Sequence, residues 1–342
     1  MTTTGPTITP GTDTSMRAVV QSRYGSADVL EVKATARPSL TPTQVLVEVR
    51  AAGIDRGTWH LVTGLPYAVR LAGYGLTRPR QPVPGLDVAG RVVAVGSEVT
   101  RFAVGDDVFG IADGSFAELA AAEQDKLAAK PADVSWEEAG VAAVSGITAL
   151  QSLTDVGRLT SGQKVLVLGA SGGVGSYAVQ IAKALGAEVT GVASGAKADL
   201  VRSLGAHHVI DYTTTDVADG STAYDLIIDT GGNTPVRRLR QVLAPNGTLV
   251  IVGGENGGRW TGGAGRQIRA LALSPFTSQR LTAFVSKEHH EPIERLAQLM
   301  DAGNVVPAVD RVVDLDQVPE ALSDLDAGRV RGKIAVRVGS AE

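Results

Sequence analysis

Cysteine is missing from the chain altogether. That excludes disulfides, thiolate nucleophiles, iron–sulfur clusters and every cysteine-ligated zinc site, and it fits a reducing, cytoplasmic setting. Histidine is scarce as well. His60, His207, His208, His289 and His290 are the whole complement, and the two pairs are adjacent rather than one helical turn apart, so no metal site is expected. No apolar run approaches the roughly 20 residues that span a bilayer, so no membrane span is expected. The 32 basic and 36 acidic side chains leave a formal charge of −4 without a long basic run. That gives no footprint for nucleic acid.

Glycine, by contrast, is abundant at 41 residues, while aromatics make up only 4%. Glycine spread among short β-branched runs is what phosphate loops and tight turns between strand and helix require. A length of 342 residues suits two domains, each burying its own core. The first fifteen residues are rich in Thr, Pro and Gly and lack both a basic and an apolar leader region. They are expected to form a disordered tail, with folding from Met16.

Two styles of sequence follow. Up to about residue 138 the text is mainly short strands and turns, as in the period-2 alternation of Gln44-Val45-Leu46-Val47-Glu48-Val49-Arg50, and it reads as a partly open β barrel. A helix is expected over 136–153, with Ser135 as N-cap and Glu138 completing a capping box. From there to residue 287, strands and helices alternate: KVLVLGA, EVTGVA, HHVIDY, DLIID, TLVIVGG and LTAFVSK are the strands. Such alternation forces a parallel, doubly wound sheet, an α/β Rossmann arrangement. A helix near 291–302 and two antiparallel-looking strands, RVVDL and GKIAVRV, then return to the first style. Residues 16–138 and 288–342 therefore form one discontinuous domain around an inserted 139–287.

The strongest chemical signal is KVLVLGASGGVG. A buried strand ends at Gly169, and Ser171, Gly172, Gly173, Val174 and Gly175 lead straight into a helix. Glycines there let backbone approach a pyrophosphate, whose charge sits on the free N–H groups of the helix N-terminus. The second strand ends without an acid, which would hold an unphosphorylated ribose. Ser194 and Lys197 are offered instead to a 2′-phosphate, favouring NADPH over NADH; the plainer reading makes Lys197 a solvated first-turn lysine.

GSEVTRFAVGDDVFG, GSFAELAAAEQDKLAAKP and the ASGGVG loop together resemble the medium-chain dehydrogenase/reductase superfamily, in its zinc-independent quinone oxidoreductase branch. The resemblance runs from about Met16 to Val338. It implies a GroES-like domain beside a Rossmann domain, with the active site in the cleft between them. It further implies a homodimer made by pairing Rossmann edge strands around 281–287. Zinc-dependent relatives carry Gly-His-Glu where this chain has Gly85-Leu86-Asp87, so no zinc is implied. Asp55 matches an asparagine and Thr58 an aspartate of an Asn-x-x-Asp pattern in the zinc-independent branch. By the same matching, Thr148 lies near the nicotinamide, Tyr212 near the adenosine phosphate, and Lys333 near the cofactor cleft. Asp229, Thr230 and Gly231 end the fourth strand of the cofactor sheet and Val252, Gly253 and Gly254 the fifth, and these too are expected to line the cofactor.

Without a Lewis acid, a simple ketone is poorly polarised, whereas a quinone, enal or enone spreads the incoming charge onto an oxygen that hydrogen bonds can hold. Such a conjugated carbonyl is the expected substrate. Candidate catalytic residues cluster in DRGTWHLVTGLPY. His60 has the residue type that changes charge near neutral pH, Tyr67 offers a hydroxyl, and Asp55 orients its neighbours. Their bland alternatives are a surface histidine, a packing aromatic and a turn cap. A different class of function, NADPH binding for a partner-binding or redox-sensing role, also fits the altered Asp55/Thr58 pair. The glycine- and arginine-rich 255–280 is expected to hold a flap and a basic amphipathic helix, carrying Arg266 and Arg269. The helix lines the substrate mouth, meets a partner or a membrane surface, or packs on the core.

Overall fold

A computed structural model describes residues 14–232, 234–253 and 258–339. Seven strands come first: β1 (Ser15–Val20), β2 (Glu31–Ala36), β3 (Gln44–Ile54), β4 (Asp87–Val95), β5 (Asp107–Ile111), β6 (Leu119–Glu123) and β7 (Leu127–Ala129). Six follow in alternation with helices: β8 (Lys164–Leu168), β9 (Glu188–Ala193), β10 (His208–Asp211), β11 (Tyr224–Asp229), β12 (Leu243–Ile251) and β13 (Arg280–Ala283). The chain closes with β14 (Val309–Asp314) and β15 (Lys333–Arg337).

The six middle strands form one sheet in the order β10-β9-β8-β11-β12-β13, every pairing parallel. A second sheet runs β14-β15-β3-β4-β5-β7, with β6 also on β3. The last strands thus return to the first: Ile334 of β15 lies opposite Ile54 of β3. The alternation in β3 sorts as its sequence dictates, with Val45, Val47 and Val49 buried in the β core. In the parallel sheet both faces are covered, and Val165, Val167, Val189, Leu226 and Ile228 join the core that also holds Tyr177.

The first strand starts at Ser15; residues 1–13 lie outside the described residues. Two local expectations change. The helix expected over 136–153 is broken into Trp136–Ala139, Ala143–Gln151 and a wider turn over Ser152–Val156. Its capping box is present. The break falls where Gly140 passes so close to β3 that a Cβ would lie 2.8 Å from the Ala51 carbonyl carbon, and the Asp87 carboxylate then takes the Val144 N–H at 2.7 Å as the helix restarts. Finally, β14 is parallel to β15, not antiparallel; the long connection through Val318–Asp326 supplies the crossover that a parallel pair needs.

Candidate active site

The glycine loop leaves β8 at the C-terminal edge of the parallel sheet. Gly169 has φ +76, the Gly172 N–H returns to the Gly169 carbonyl at 2.9 Å, and the helix Gly173–Ala184 starts with no side-chain cap. A Cβ on Gly175 would stand 2.1 Å from the Gly169 oxygen. The loop is therefore a backbone-walled cradle at a helix N-terminus, which fits a pyrophosphate. Ser171 is buried and its carbonyl accepts the Gly332 N–H at 2.8 Å, tying loop to β15. Thr230 caps the turn by donating its hydroxyl to Leu168 at 2.7 Å. Gly231 lies 3.2 Å from where a Gly169 Cβ would be, and the Val252 and Gly253 N–H groups share the Asp229 carbonyl. Val174 is half-buried. Gly254 lies outside the described residues.

A charge cluster that the sequence had split among three regions is buried against this loop. Lys333 is 1% exposed. Its ammonium donates to Asp87 at 2.9 Å, to Ser145 Oγ at 3.2 Å and to Asp55 at 3.5 Å. Its Cδ lies 3.2 Å from where a Gly173 Cβ would be, and Ser145 Oγ 3.1 Å from it. Burial pushes the Asp87 carboxyl up to about 6, against the pull of Lys333 and with Asp55 adding to the rise. The Lys333 ammonium is pushed down by burial but ends above its ordinary value because the Asp87 and Asp55 carboxylates outweigh that cost.

Asp55 does a second job. Its other oxygen accepts the Thr58 N–H at 2.8 Å and caps the helix Arg56–Thr63. The helix cap and the contact with Lys333 thus fall to one residue's two oxygens. Thr58 is buried, and its hydroxyl has no hydrogen-bond partner among the described residues. His60 sits on that helix, half-buried, with Nδ1 on the Leu65 carbonyl and its ring edge-on to Trp59. A carbonyl only accepts, so Nδ1 carries hydrogen. Tyr67 follows, with the Arg70 guanidinium 4.7 Å from its ring centre and Trp260 edge-on at 5.2 Å.

At the far end of the loop the structure corrects one expectation. An acid does reach the end of the second cofactor-sheet strand: Asp211 comes from β10 and lies 2.5 Å from where a Gly195 Cβ would be. Its carboxyl is held below the ordinary range by the Thr213 hydroxyl, the Thr213 N–H and the Gly195 N–H. Lys197 is not simply solvated. It donates to the Gly328 and Val330 carbonyls at 2.8 and 2.7 Å. Ser194 is half-buried and Tyr212 is 60% exposed. Thr148 donates to Val144 at 2.6 Å and meets the Ser286 hydroxyl at 3.1 Å.

Arg266 and Asp229, 37 residues apart in the chain, form a pair. Asp229 is fully buried at the end of β11, takes the Gly232 N–H at 2.9 Å and pairs with Arg266 Nη2. Arg266 Nε and Nη1 are buried without a partner among the described residues. The helix Ala264–Leu273 buries Ala270 but exposes Ile268 and Leu271, so core packing describes only part of it.

This architecture matches two family models, an alcohol dehydrogenase GroES-like domain over residues 41–132 and a zinc-binding dehydrogenase domain over 204–336. The tomato 2-methylene-furan-3-one reductase is 31% identical over 94% of this chain and 79% of its own. The Arabidopsis NADPH-dependent alkenal/one oxidoreductase is 30% identical over the same shares. The quinone oxidoreductase of Coxiella burnetii superposes with a TM-score of 0.84 at 26% identity, over 95% of this chain and all of that one. The chain belongs to the quinone oxidoreductase-like branch of the medium-chain dehydrogenase/reductase superfamily.

As a member of this superfamily it is an oxidoreductase that uses a nicotinamide cofactor. Among the described residues no group of three or more His, Asp or Glu side chains is placed to hold a metal, and no helix is long and apolar enough to cross a membrane. Asp87, the last residue of Gly85-Leu86-Asp87, instead faces Lys333. Sequence reasoning missed Asp87 and Ser145 as site residues. A lone acid heading the apolar run of β4 was the available signal for Asp87; Ser145, on a buried helix face, offered none.

Proposed function

We propose that this protein transfers a hydride from NADPH to a conjugated carbonyl compound, reducing a quinone to its hydroquinone or the carbon–carbon double bond of an enal or enone, without zinc. The observation that carries the reading is the position of Asp55. One of its oxygens caps the helix bearing His60, and the other faces Lys333, whose side chain lies against Gly173 of the phosphate loop. The cradle and the helix that bears His60 are thereby joined through one carboxylate. The relatives' own activities, on a furanone and on alkenals and alkenones, support the substrate class.

When bound, the reduced nicotinamide supplies the hydride. The chain's residues do the rest. N–H groups at the start of Gly173–Ala184 bind the pyrophosphate, and Ser194 with the remaining Lys197 N–H meets the 2′-phosphate. Thr148, Asp229, Thr230, Gly231, Val252 and Gly253 line the nicotinamide half. The Tyr67 hydroxyl donates to the carbonyl oxygen as negative charge gathers there. His60 fixes its Nδ1–H on Leu65 and delivers a proton from the imidazolium form through Nε2. The absence of cysteine supports a metal-free reaction and a reducing, cytoplasmic setting. The exposed apolar residues flanking the edge strand β13, Phe276 at 88% and Val285 at 87%, support a homodimer that pairs β13 with its copy.

The test is loss of NADPH absorbance with 9,10-phenanthrenequinone and with a short alkenal, repeated with NADH and with a chelator. Turnover with NADPH that ignores the chelator is the expected result. Tight cofactor binding with no turnover on any conjugated carbonyl would overturn it.

A further inference from the structure

Two segments that frame the His60–Tyr67 side of the cleft share an unusual charge pattern. Neither 56–86 nor 258–287 contains a single Asp or Glu, although acids outnumber bases in the chain as a whole. The first carries Arg56, Arg70, Arg78 and Arg80, the second Arg259, Arg266, Arg269 and Arg280. The two segments touch: the Tyr67 N–H donates to the Arg259 carbonyl at 2.8 Å, Trp260 meets the Tyr67 ring, and a Cβ on Gly262 would stand 2.5 Å from the Pro66 ring.

Some of these arginines have structural partners. Arg56 reaches Asp326, Arg266 reaches Asp229, and Arg280 reaches the Val156 carbonyl. Arg70 donates to Gly64 at 2.9 Å and lies over the rings of Tyr24 and Tyr67. Tyr24 in turn donates its hydroxyl to the Tyr74 and Gly75 carbonyls at 2.7 and 2.8 Å, and the Arg80 N–H returns to Tyr74 at 2.9 Å. One connected set of contacts therefore links Tyr67 through Arg70, Tyr24 and Tyr74 to Arg80. The side chains of Arg78, Arg80 and Arg259 are exposed and have no ion pair among the described residues. Trp260, next to Arg259 in the chain, is 76% exposed, Leu71 78% and Leu76 65%. Among the described residues, Asp113 and Glu288 are the acids that act on Tyr74, and Glu288 is engaged by Lys126.

We propose that the preferred substrate of this site is a conjugated carbonyl bearing an anionic group, a phosphate or a carboxylate, remote from the double bond, and that Arg78, Arg80 and Arg259 receive it. The inference rests on the conjugate-reduction reading above. Arginine's planar fork suits bidentate binding of either oxyanion. A rim with an excess of arginine also concentrates an oppositely charged substrate at the mouth, while Trp260 and Leu71 offer apolar cover to the arm that joins the anion to the reacting carbons. The chemistry is unchanged by the handle: hydride goes to the β-carbon, a proton to the α-carbon, and NADPH leaves as NADP+.

The experiment compares kcat/KM for neutral trans-2-pentenal, for crotonyl-coenzyme A as the phosphate-bearing probe, and for 4-carboxybenzylideneacetone, whose carboxylate is held away from the double bond by the ring, as the carboxylate-bearing one, at low and high potassium chloride. At least one anionic probe is expected to exceed pentenal roughly tenfold at low salt and to lose that lead at high salt. In the double variant Arg80→Glu/Arg259→Glu, the ratio of anionic to neutral substrate should fall roughly tenfold. Which probe responds distinguishes phosphate from carboxylate. Equal constants for all three substrates, or a ratio unmoved by salt and by the variant, overturn the proposal. Titration of the NADP+-saturated protein with coenzyme A separates the two readings. Salt-sensitive binding with no reduction of any probe keeps the anion rim and rejects the reductase; reduction of pentenal alone does the reverse.

Discussion

The Lys333 ammonium lies 2.9 Å from the Asp87 carboxylate, with both side chains closed off from solvent. Asp55, 3.5 Å from the same ammonium, makes the group one cation between two acids. Taking away the cation leaves two neighbouring carboxylates buried without a counter-charge. Lys333→Met should therefore cost about 3–5 kcal/mol of stability, read from urea denaturation. A loss below about 1 kcal/mol would mean that the cluster is far better solvated than its burial implies.

The same cluster makes stability depend on pH in a definite direction. Burial raises Asp87 to about 6 from 3.8, so folding favours its protonated form. Its contribution is full below the ordinary carboxylate value and is lost as pH rises through about 6. Asp87→Asn removes that term. The melting temperature of the natural protein relative to the variant should fall between pH 4 and pH 7, and parallel profiles would contradict the assignment.

Gly175 and Gly173 are expected to respond differently to alanine. A methyl at 175 runs into the Gly169 oxygen, whereas one at 173 meets side-chain atoms at 3.1 and 3.2 Å. Gly175→Ala should weaken NADPH binding by at least roughly tenfold, and Gly173→Ala by clearly less, in a fluorescence titration. The reverse order would place the pyrophosphate elsewhere.

The candidate proton donors have a kinetic test. His60→Ala/Tyr67→Phe should lower turnover by at least roughly tenfold with cofactor affinity retained. Unchanged turnover would remove both from the chemistry.

The proposed preference for NADPH has a test in two charges near Ser194. Asp211→Asn removes a negative charge beside Gly195 and should raise the NADPH/NADH ratio of kcat/KM, while Lys197→Met should lower it, each by roughly tenfold. Lys197 also holds Gly328 and Val330, so its variant should lose stability as well. A ratio that ignores both changes would place the 2′-phosphate away from this corner.

The sequence by itself determined the elements whose signals are local. The strand–glycine–helix run at 164–184, the capping box at Ser135 and the alternation of β3 are all written within a few residues, because periodicity and cap chemistry act over one or two turns. The glycine loop was legible for the same reason. What only the tertiary structure decided is which distant residues meet. Asp55, Asp87, Ser145 and Lys333 lie on four separate stretches of chain, and no local pattern marks a carboxylate whose partner is 246 residues away. Asp211 reaches Gly195 only because β10 lies beside β9, and β14 turns parallel only because its connection crosses back. Long-range pairing follows from packing and desolvation, which reward contacts in space regardless of spacing in the chain.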